Sequence, residues 1–168
     1  MRDFNWLIKE MNFAEPEKLS KLRCPHYGLA SLKGIENFSN LEYLNCSNNY
    51  FKNFKGINNL PKLKILIAND NFLTDLSDLK GSNIEHLEVA DNKLLSLNGI
   101  EEMDKLEKIV ITGNNFDKKI IDITKDHNGI KKLKQFLKEN PIYTSSKVSK
   151  LIKTGIFENL LTFEKFTK

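Results

Sequence analysis

One hydrophobic pattern recurs five times along the chain at a nearly constant period. The last four copies are separated by 22, 21 and 22 residues, and they read LEYLNCSNNYF, LKILIANDNFL, IEHLEVADNKL and LEKIVITGNNF. The first copy, LSKLRCPHYGL, has Tyr27 where the others have asparagine. Self-similarity at this period indicates a solenoid, in which each repeat packs mainly on its two neighbours. The copies are aligned on Leu19, Leu41, Leu63, Ile84 and Leu106.

The front half of each copy has the alternation of a β-strand. Successive side chains of a strand point to opposite faces, so Leu44 and Cys46 are predicted to face the core. Tyr43 and Asn45 then face outward. Stacked copies are expected to pair as parallel strands about 4.8 Å apart. The sequence therefore predicts one parallel sheet that contains a strand from every repeat.

An asparagine follows the predicted strand in four of the five copies. A side-chain amide both donates and accepts hydrogen bonds, so it can satisfy backbone groups where the chain turns away from the strand. We predict a buried ladder of these amides, one in each of the four copies. Its members are Asn49, Asn71, Asn92 and Asn114.

The back half of each copy has apolar residues in steps of three. This spacing fits short 3₁₀ turns better than a long α-helix, whose apolar stripe alternates steps of three and four. A glycine precedes the third apolar residue in three copies, at Gly34, Gly56 and Gly99, which indicates a tight or positive-φ backbone there. The copy that starts at Leu63 is one residue short, so a local distortion is expected around residues 80–83.

The repeat resembles that of the leucine-rich-repeat family. The 22-residue form with a glycine in its back half is similar to the class typified by a phosphatase regulatory subunit. This resemblance covers roughly residues 19–140 and implies an α/β solenoid, a short horseshoe with a parallel concave sheet, 3₁₀ turns on the convex side and helical caps. Some relatives continue into a GTPase domain, but no G-x-x-x-x-G-K-[ST] segment occurs in this chain.

The N-terminal residues 1–18 are predicted to cap the solenoid with a short helix ending near Pro16. Its apolar stripe has helical spacing, and Asp3 is a candidate N-cap. Trp6 lies off the stripe and is expected to be partly exposed. The stripe consists of Phe4, Leu7, Ile8 and Met11.

After the repeats of residues 19–127, residues 128–168 are predicted to form a C-terminal helical cap and tail. The stretch of residues 113–140 resembles the segment that closes many intracellular leucine-rich-repeat domains, with Asn115–Phe116 in place of its asparagine–proline pair. Gly129 stands at the position of that segment's glycine. A further helix is predicted from Ser145 or Ser146 to about Thr162, and it is basic and amphipathic. The helix that begins near Gly129 has an apolar face of Ile130, Leu133, Phe136 and Leu137.

Residue types that can carry catalysis or bind metals are present, but they do not form a recognisable motif. His26, His86 and His127 lie far apart in the sequence, and no H-x₃-H, H-E-x-x-H or C-x-x-C spacing occurs. Cys24 and Cys46 occupy the same inward position of adjacent copies, where a thiol acts as a small apolar side chain. We therefore expect neither an enzyme nor a bound metal or cofactor.

The outward strand positions are predicted to form the binding face. Several of them are apolar although the face should contact water, and clustered apolar and charged side chains are typical of protein interfaces. The strong β-propensity of Ile, Val and Tyr is an alternative explanation. The predicted partner-binding residues are Lys21, Arg23, Tyr43, Asn45, Ile65, Ile67, His86, Glu88, Lys108 and Val110.

These patterns predict a module that binds another protein as an adaptor, regulator or inhibitor, and that is monomeric when free. A secreted bacterial effector or immunity-type protein that blocks one target is the alternative within the same class. The basic C-terminal tail also leaves open binding to nucleic acid or to an acidic membrane, although both are less favoured because the tail fits a docked helix at least as well. The N-terminus does not resemble a signal peptide, so a cytoplasmic location, or export without a signal peptide, is expected.

Overall fold

The computed structural model describes residues 1–116, 118–125 and 129–139. Five short strands form one open, parallel sheet in the order β1-β2-β3-β4-β5, so that each strand pairs only with its neighbours along the chain. Each repeat supplies one strand, as the sequence predicts. The strands are β1 (Lys21–Arg23), β2 (Tyr43–Asn45), β3 (Ile65–Ile67), β4 (His86–Glu88) and β5 (Lys108–Val110).

The core lies behind this sheet and runs through the described repeats without interruption. The central residue of every strand is buried, and so is the inward residue two positions later. Burying an aliphatic side chain of this size contributes about 1.5–3 kcal/mol, so each coil gains most of its stability by covering its neighbours. The central strand residues are Leu22, Leu44, Leu66, Leu87 and Ile109.

Short 3₁₀ turns form the side of the solenoid opposite the sheet. Three of them begin directly after a glycine in the left-handed region, at Gly34 (φ +92°), Gly56 (φ +97°) and Gly99 (φ +110°). A side chain at Gly99 is excluded for a second reason, because its Cβ would lie 2.4 Å from the Leu76 carbonyl oxygen. The turns span Pro16–Lys18, Ile35–Phe38, Ile57–Asn59, Ser77–Leu79 and Ile100–Glu102.

The short repeat departs from this arrangement. Its 3₁₀ turn begins at Ser77, before the third apolar residue Leu79, and Leu76 rather than a glycine precedes it. Gly81 then takes a positive φ of +66°, and the segment borders a cleft of about 170 Å³ on the previous coil. The missing residue is therefore absorbed on the convex side. Gly81 lies within the predicted residues 80–83, whereas the shifted turn lies just before them.

The N-terminal cap is helix α1 (Phe4–Glu10), which buries Phe4 and Leu7 against the first coil. Asp3 caps it through a hydrogen bond from the Trp6 backbone N–H to Oδ1, 2.9 Å long. Trp6 is half-buried, as expected. The prediction was wrong about the end of the helix, because it stops at Glu10 and leaves Met11 exposed. The Met11 N–H still donates to the Leu7 carbonyl, but the exposed Met11 side chain does not belong to the buried stripe. The stripe is therefore one turn shorter than its spacing indicated.

Two helices, α2 (Lys118–Thr124) and α3 (Gly129–Glu139), pack against β5 and against each other. In α3, Leu133 and Leu137 are buried, and Ile130 and Phe136 are half-buried against the core. His127 and the helix predicted from 145 to 162 lie outside the described residues. Within the described part, no helix is both long enough and apolar enough to cross a membrane.

Candidate functional site

The strands place the predicted binding residues on one face in two rows. One row joins Lys21, Tyr43, Ile65, His86 and Lys108, because these residues are paired across successive strands. The second row joins Arg23, Asn45, Ile67, Glu88 and Val110 in the same register. These ten outward residues, which we call the concave face, therefore form one continuous surface.

Apolar side chains occupy the middle of the concave face. Tyr43, Ile65 and Ile67 lie on adjacent strands, and each keeps part of its surface exposed. Val110 is also half-buried, at the end of the sheet that α2 and α3 cover. Partly exposed apolar side chains in contact with one another form the kind of patch that soluble proteins use for binding.

A chain of polar contacts crosses the face beside this patch. His86 Nε2 lies 2.9 Å from Glu88 Oε1, without the alignment of a hydrogen bond, so this contact is a full ion pair only when the imidazole is protonated. The Asn69 amide donates to Glu88 Oε2 at 3.2 Å and accepts from the Ala90 N–H at 2.8 Å. Glu88 is therefore held in place within the face and is not a free charge on its rim.

The cations of the concave face have no ionic partner among the described residues. Lys21, Arg23 and Lys108 are exposed, and none of them forms an ion pair with a described residue. Glu42 and Glu107 are also exposed, but they precede the strand residues at the border of the face. The unpaired charge within the concave face is thus positive, and it lies at both ends of the apolar centre.

The asparagine ladder holds the turns that follow these strands. In its middle, Asn71 Oδ1 accepts from the Phe51 N–H at 3.0 Å, and Nδ2 donates to the carbonyls of Cys46, Ala68 and Asn69 at 3.1–3.2 Å. Asn49, Asn92 and Asn114 make the equivalent bonds in their own coils. Asn114 differs in being only half-buried, because the regular coils end there. The ladder thereby fixes the spacing of the strands that carry the concave face.

The environment of the two cysteines does not favour a reactive thiolate. Both thiols are buried and free. Burial raises the pKa of Cys24 to about 12, and burial followed by the proximity of Cys24 raises the pKa of Cys46 as well. The thiolate is the reactive form, so these groups are unreactive at neutral pH. The described residues contain no group of three or more side chains able to hold a metal ion.

Two exposed aromatic residues lie outside the residues predicted to bind. Tyr50 and Phe72 occupy the same repeat position, directly after ladder asparagines, and their side chains are 59% and 43% exposed. The next two repeats have Lys93 and Asn115 at this position. The signal was present in the sequence, because strand-like alternation turns this position outward and an aromatic residue there has no role in the core.

Comparison with known proteins agrees with this geometry. Residues 39–81 match the family model of leucine-rich repeats, in two copies. The described coils form a leucine-rich-repeat solenoid. No curated protein matches the chain.

Among solved structures, the solenoid is similar to two internalins from Listeria monocytogenes. Internalin F aligns over 72% of this chain and 45% of its own, with 22% identity and a TM-score of 0.55. Internalin C2 aligns over 50% of this chain and 38% of its own, with 27% identity and a TM-score of 0.46. The chain thus spans less than half the length of each, and the likeness to internalin F concerns the fold.

Proposed function

We propose that the chain is a protein-binding module whose concave face holds a partner protein, and that it acts as an adaptor, regulator or inhibitor. The observation that carries the proposal is the strand register, which pairs Tyr43 with Ile65 and leaves Ile67 on the same face two residues further along β3. Apolar centres with charged surroundings are the usual anatomy of protein interfaces. Strand propensity alone explains apolar residues in a strand but does not explain why they are adjacent across two strands.

The free charges of the face suggest the chemistry of the partner. Lys21, Arg23 and Lys108 form no ion pair within the described part of the chain, whereas Glu88 contacts His86 and accepts a hydrogen bond from Asn69. A partner with acidic side chains around an apolar centre would be attracted by these cations and would leave few charges unmatched. Rim charges act mainly on the rate of association, so the complex should form more slowly at high salt.

The proposal is tested with the double variant Tyr43→Asp/Ile67→Asp. Both side chains are partly exposed, so the variant should fold, and the buried charges should abolish capture of the partner. The two proteins are immobilised side by side, and captured proteins are compared by quantitative mass spectrometry. The matched control is Asn53→Asp/Asn58→Asp, which adds the same charge at exposed positions outside the strand, in the repeat that contains Tyr43.

The partner found in this way is then purified and titrated. We expect the dissociation constant to rise at least about 100-fold in the concave variant, since hot-spot side chains contribute 2 kcal/mol or more each. The control should bind like the wild-type chain. Equal affinity of the folded concave variant would refute the assignment of the site.

We propose that the chain works in the cytoplasm and is monomeric when free. Activity as an exported effector that blocks one target is the alternative, and fractionation of the source cells and their medium distinguishes the two. Recovery of the chain from the medium of intact cells would contradict the cytoplasmic location. Sedimentation of the free chain tests its oligomeric state.

A further inference from the structure

A second patch lies where the coils leave the sheet. The rings of Tyr50 and Phe72 stack there, with centroids 5.9 Å apart and planes inclined by 23°. The described residues include four large apolar side chains that are strongly exposed, and three of them, Met1, Tyr50 and Phe72, border the same shallow depression. Exposed apolar residues that are scattered singly need no explanation, but their concentration in one place marks an interaction site.

The backbone holds both rings rigidly. The N–H of Tyr50 donates to the Leu29 carbonyl at 2.7 Å, and the N–H of Phe72 donates to the Phe51 carbonyl at 2.8 Å. The residue after each ring, Phe51 or Leu73, is completely buried. An aromatic side chain on a fixed backbone loses little conformational entropy on binding, which makes it an efficient contact residue.

The charges beside the rings have both signs, and two carboxylates among them have no ionic partner in the described part of the chain. Asp70 lies on the border of the depression, and Asp91 holds the same position in the next coil. Both are exposed, and neither forms an ion pair with a described residue. Lys93 is exposed one coil beyond Phe72 and is likewise unpaired. The carboxylates thus remain available to a cation from outside.

The guanidinium group of Arg2 also borders the depression, close to Tyr50, and its partners are uncharged. Arg2 lies over the Trp6 ring, with Cζ 4.4 Å from the ring centroid, and its Nη1 donates to the Tyr27 carbonyl at 2.9 Å. These uncharged groups hold the guanidinium in place but leave its charge, so a partner's cation is expected beside Asp70 and Phe72 and not beside Arg2. The same contact shows how this edge accommodates a guanidinium group, by stacking on an aromatic ring and bonding to a backbone oxygen.

We propose that Tyr50, Phe72 and Asp70, which we call the edge patch, form a second docking surface for a partner segment that carries an arginine or lysine beside an apolar side chain. The cation would lie against the ring faces and near the carboxylate, where cation–π attraction and ion pairing act together. The edge patch is separate from the concave face, because its residues follow the strands instead of belonging to them. The two surfaces can therefore be inactivated independently.

The test selects displayed random peptides on the folded wild-type chain, after depletion on the variant Tyr50→Ser/Phe72→Ser. Depletion removes peptides that bind elsewhere, including those that bind the concave face. We expect the remaining peptides to share an arginine or lysine next to an apolar residue. A selection that yields no binders, or binders without a basic residue, would overturn the proposal.

The best peptide is then synthesised and titrated into purified variants. Phe72→Ser should weaken binding at least about tenfold. Asp70→Asn should weaken it about threefold, and this loss should be largest at low salt. Met11→Ser, which removes an exposed apolar side chain from the N-terminal cap, is the matched control and should leave the affinity unchanged. Citrulline in place of the peptide's arginine, or glutamine in place of its lysine, should weaken binding about as much as Asp70→Asn. Equal binding of either neutral peptide, or full binding to Phe72→Ser, would contradict the proposed contact.

Discussion

Tyr50 and Phe51 are neighbours in the chain, but their surroundings are opposite. Tyr50 is 59% exposed, whereas Phe51 is completely buried, and the same contrast separates Phe72 from Leu73. The buried member repeats in every coil because the fold requires it. The exposed member changes from coil to coil because the fold does not constrain it. Inward positions should therefore govern stability, and outward positions should govern recognition.

The largest effect is expected inside the asparagine ladder, from Asn71→Ala. This change leaves the buried Phe51 N–H without its acceptor and removes one hydrogen bond from each of three carbonyls. Each carbonyl keeps a second donor, which is the Asn49 amide, the Asn92 amide or the Asn48 N–H. One unsatisfied buried N–H costs about 1–3 kcal/mol and each of the three other lost hydrogen bonds about 1 kcal/mol, so the free energy of unfolding should fall on the order of 5 kcal/mol. Urea denaturation followed by circular dichroism measures this loss.

The end of the ladder provides the control. Asn114 makes equivalent bonds but is half-buried, so water can replace its amide in Asn114→Ala. We expect less than half the loss of Asn71→Ala. Similar losses for both variants would show that burial does not determine the strength of the ladder.

Substitutions at two glycines on the convex side allow the cost of backbone strain to be measured separately from the cost of steric overlap. Both have positive φ, but a Cβ at Gly99 would lie 2.4 Å from the Leu76 carbonyl oxygen, whereas at Gly56 the nearest atom is 3.8 Å away. Gly56→Ala should cost about 1–2 kcal/mol from its left-handed conformation alone. Gly99→Ala must also displace backbone and should cost about 3 kcal/mol or more. Thermal unfolding of both variants measures the two losses of stability. A larger loss for Gly56→Ala than for Gly99→Ala would contradict this account.

The buried Cys24 thiol should make the free energy of unfolding depend on pH in the alkaline range. Folding raises the pKa of Cys24 from 9.0 to about 12, so the folded state holds a proton that the unfolded state releases. The stabilisation is complete below about pH 9 and is lost as the pH rises towards 12. Above pH 9 the wild-type chain should lose about 1.4 kcal/mol per pH unit more than Cys24→Ala, measured by urea denaturation. Parallel pH profiles for the two proteins would contradict this account.

The repeat positions explain how far the sequence predicted the fold. Inward leucines, ladder asparagines and convex glycines recur with the period of the coil, so the sheet and its 3₁₀ turns were predictable. The end of α1 was not, since nothing in the spacing up to Met11 indicates that the helix stops at Glu10. The contact of Glu88 with Asn69 joins different coils and depends on side-chain conformations that periodicity does not specify. The outward direction of the residues proposed to bind a partner follows from their repeat positions. Their roles in binding stay predictions.

The smallest effect on stability is expected at the exposed pair, from Tyr50→Ser/Phe72→Ser. The stacked rings contact each other, but neither side chain belongs to the core. An aromatic pair contributes about 0.5–1.5 kcal/mol, so the free energy of unfolding should fall by about 1 kcal/mol, far less than for Asn71→Ala. Urea denaturation of the two variants in parallel measures the ratio. A loss comparable to that of Asn71→Ala would show that the rings support the coil, and their exposure would then no longer indicate binding.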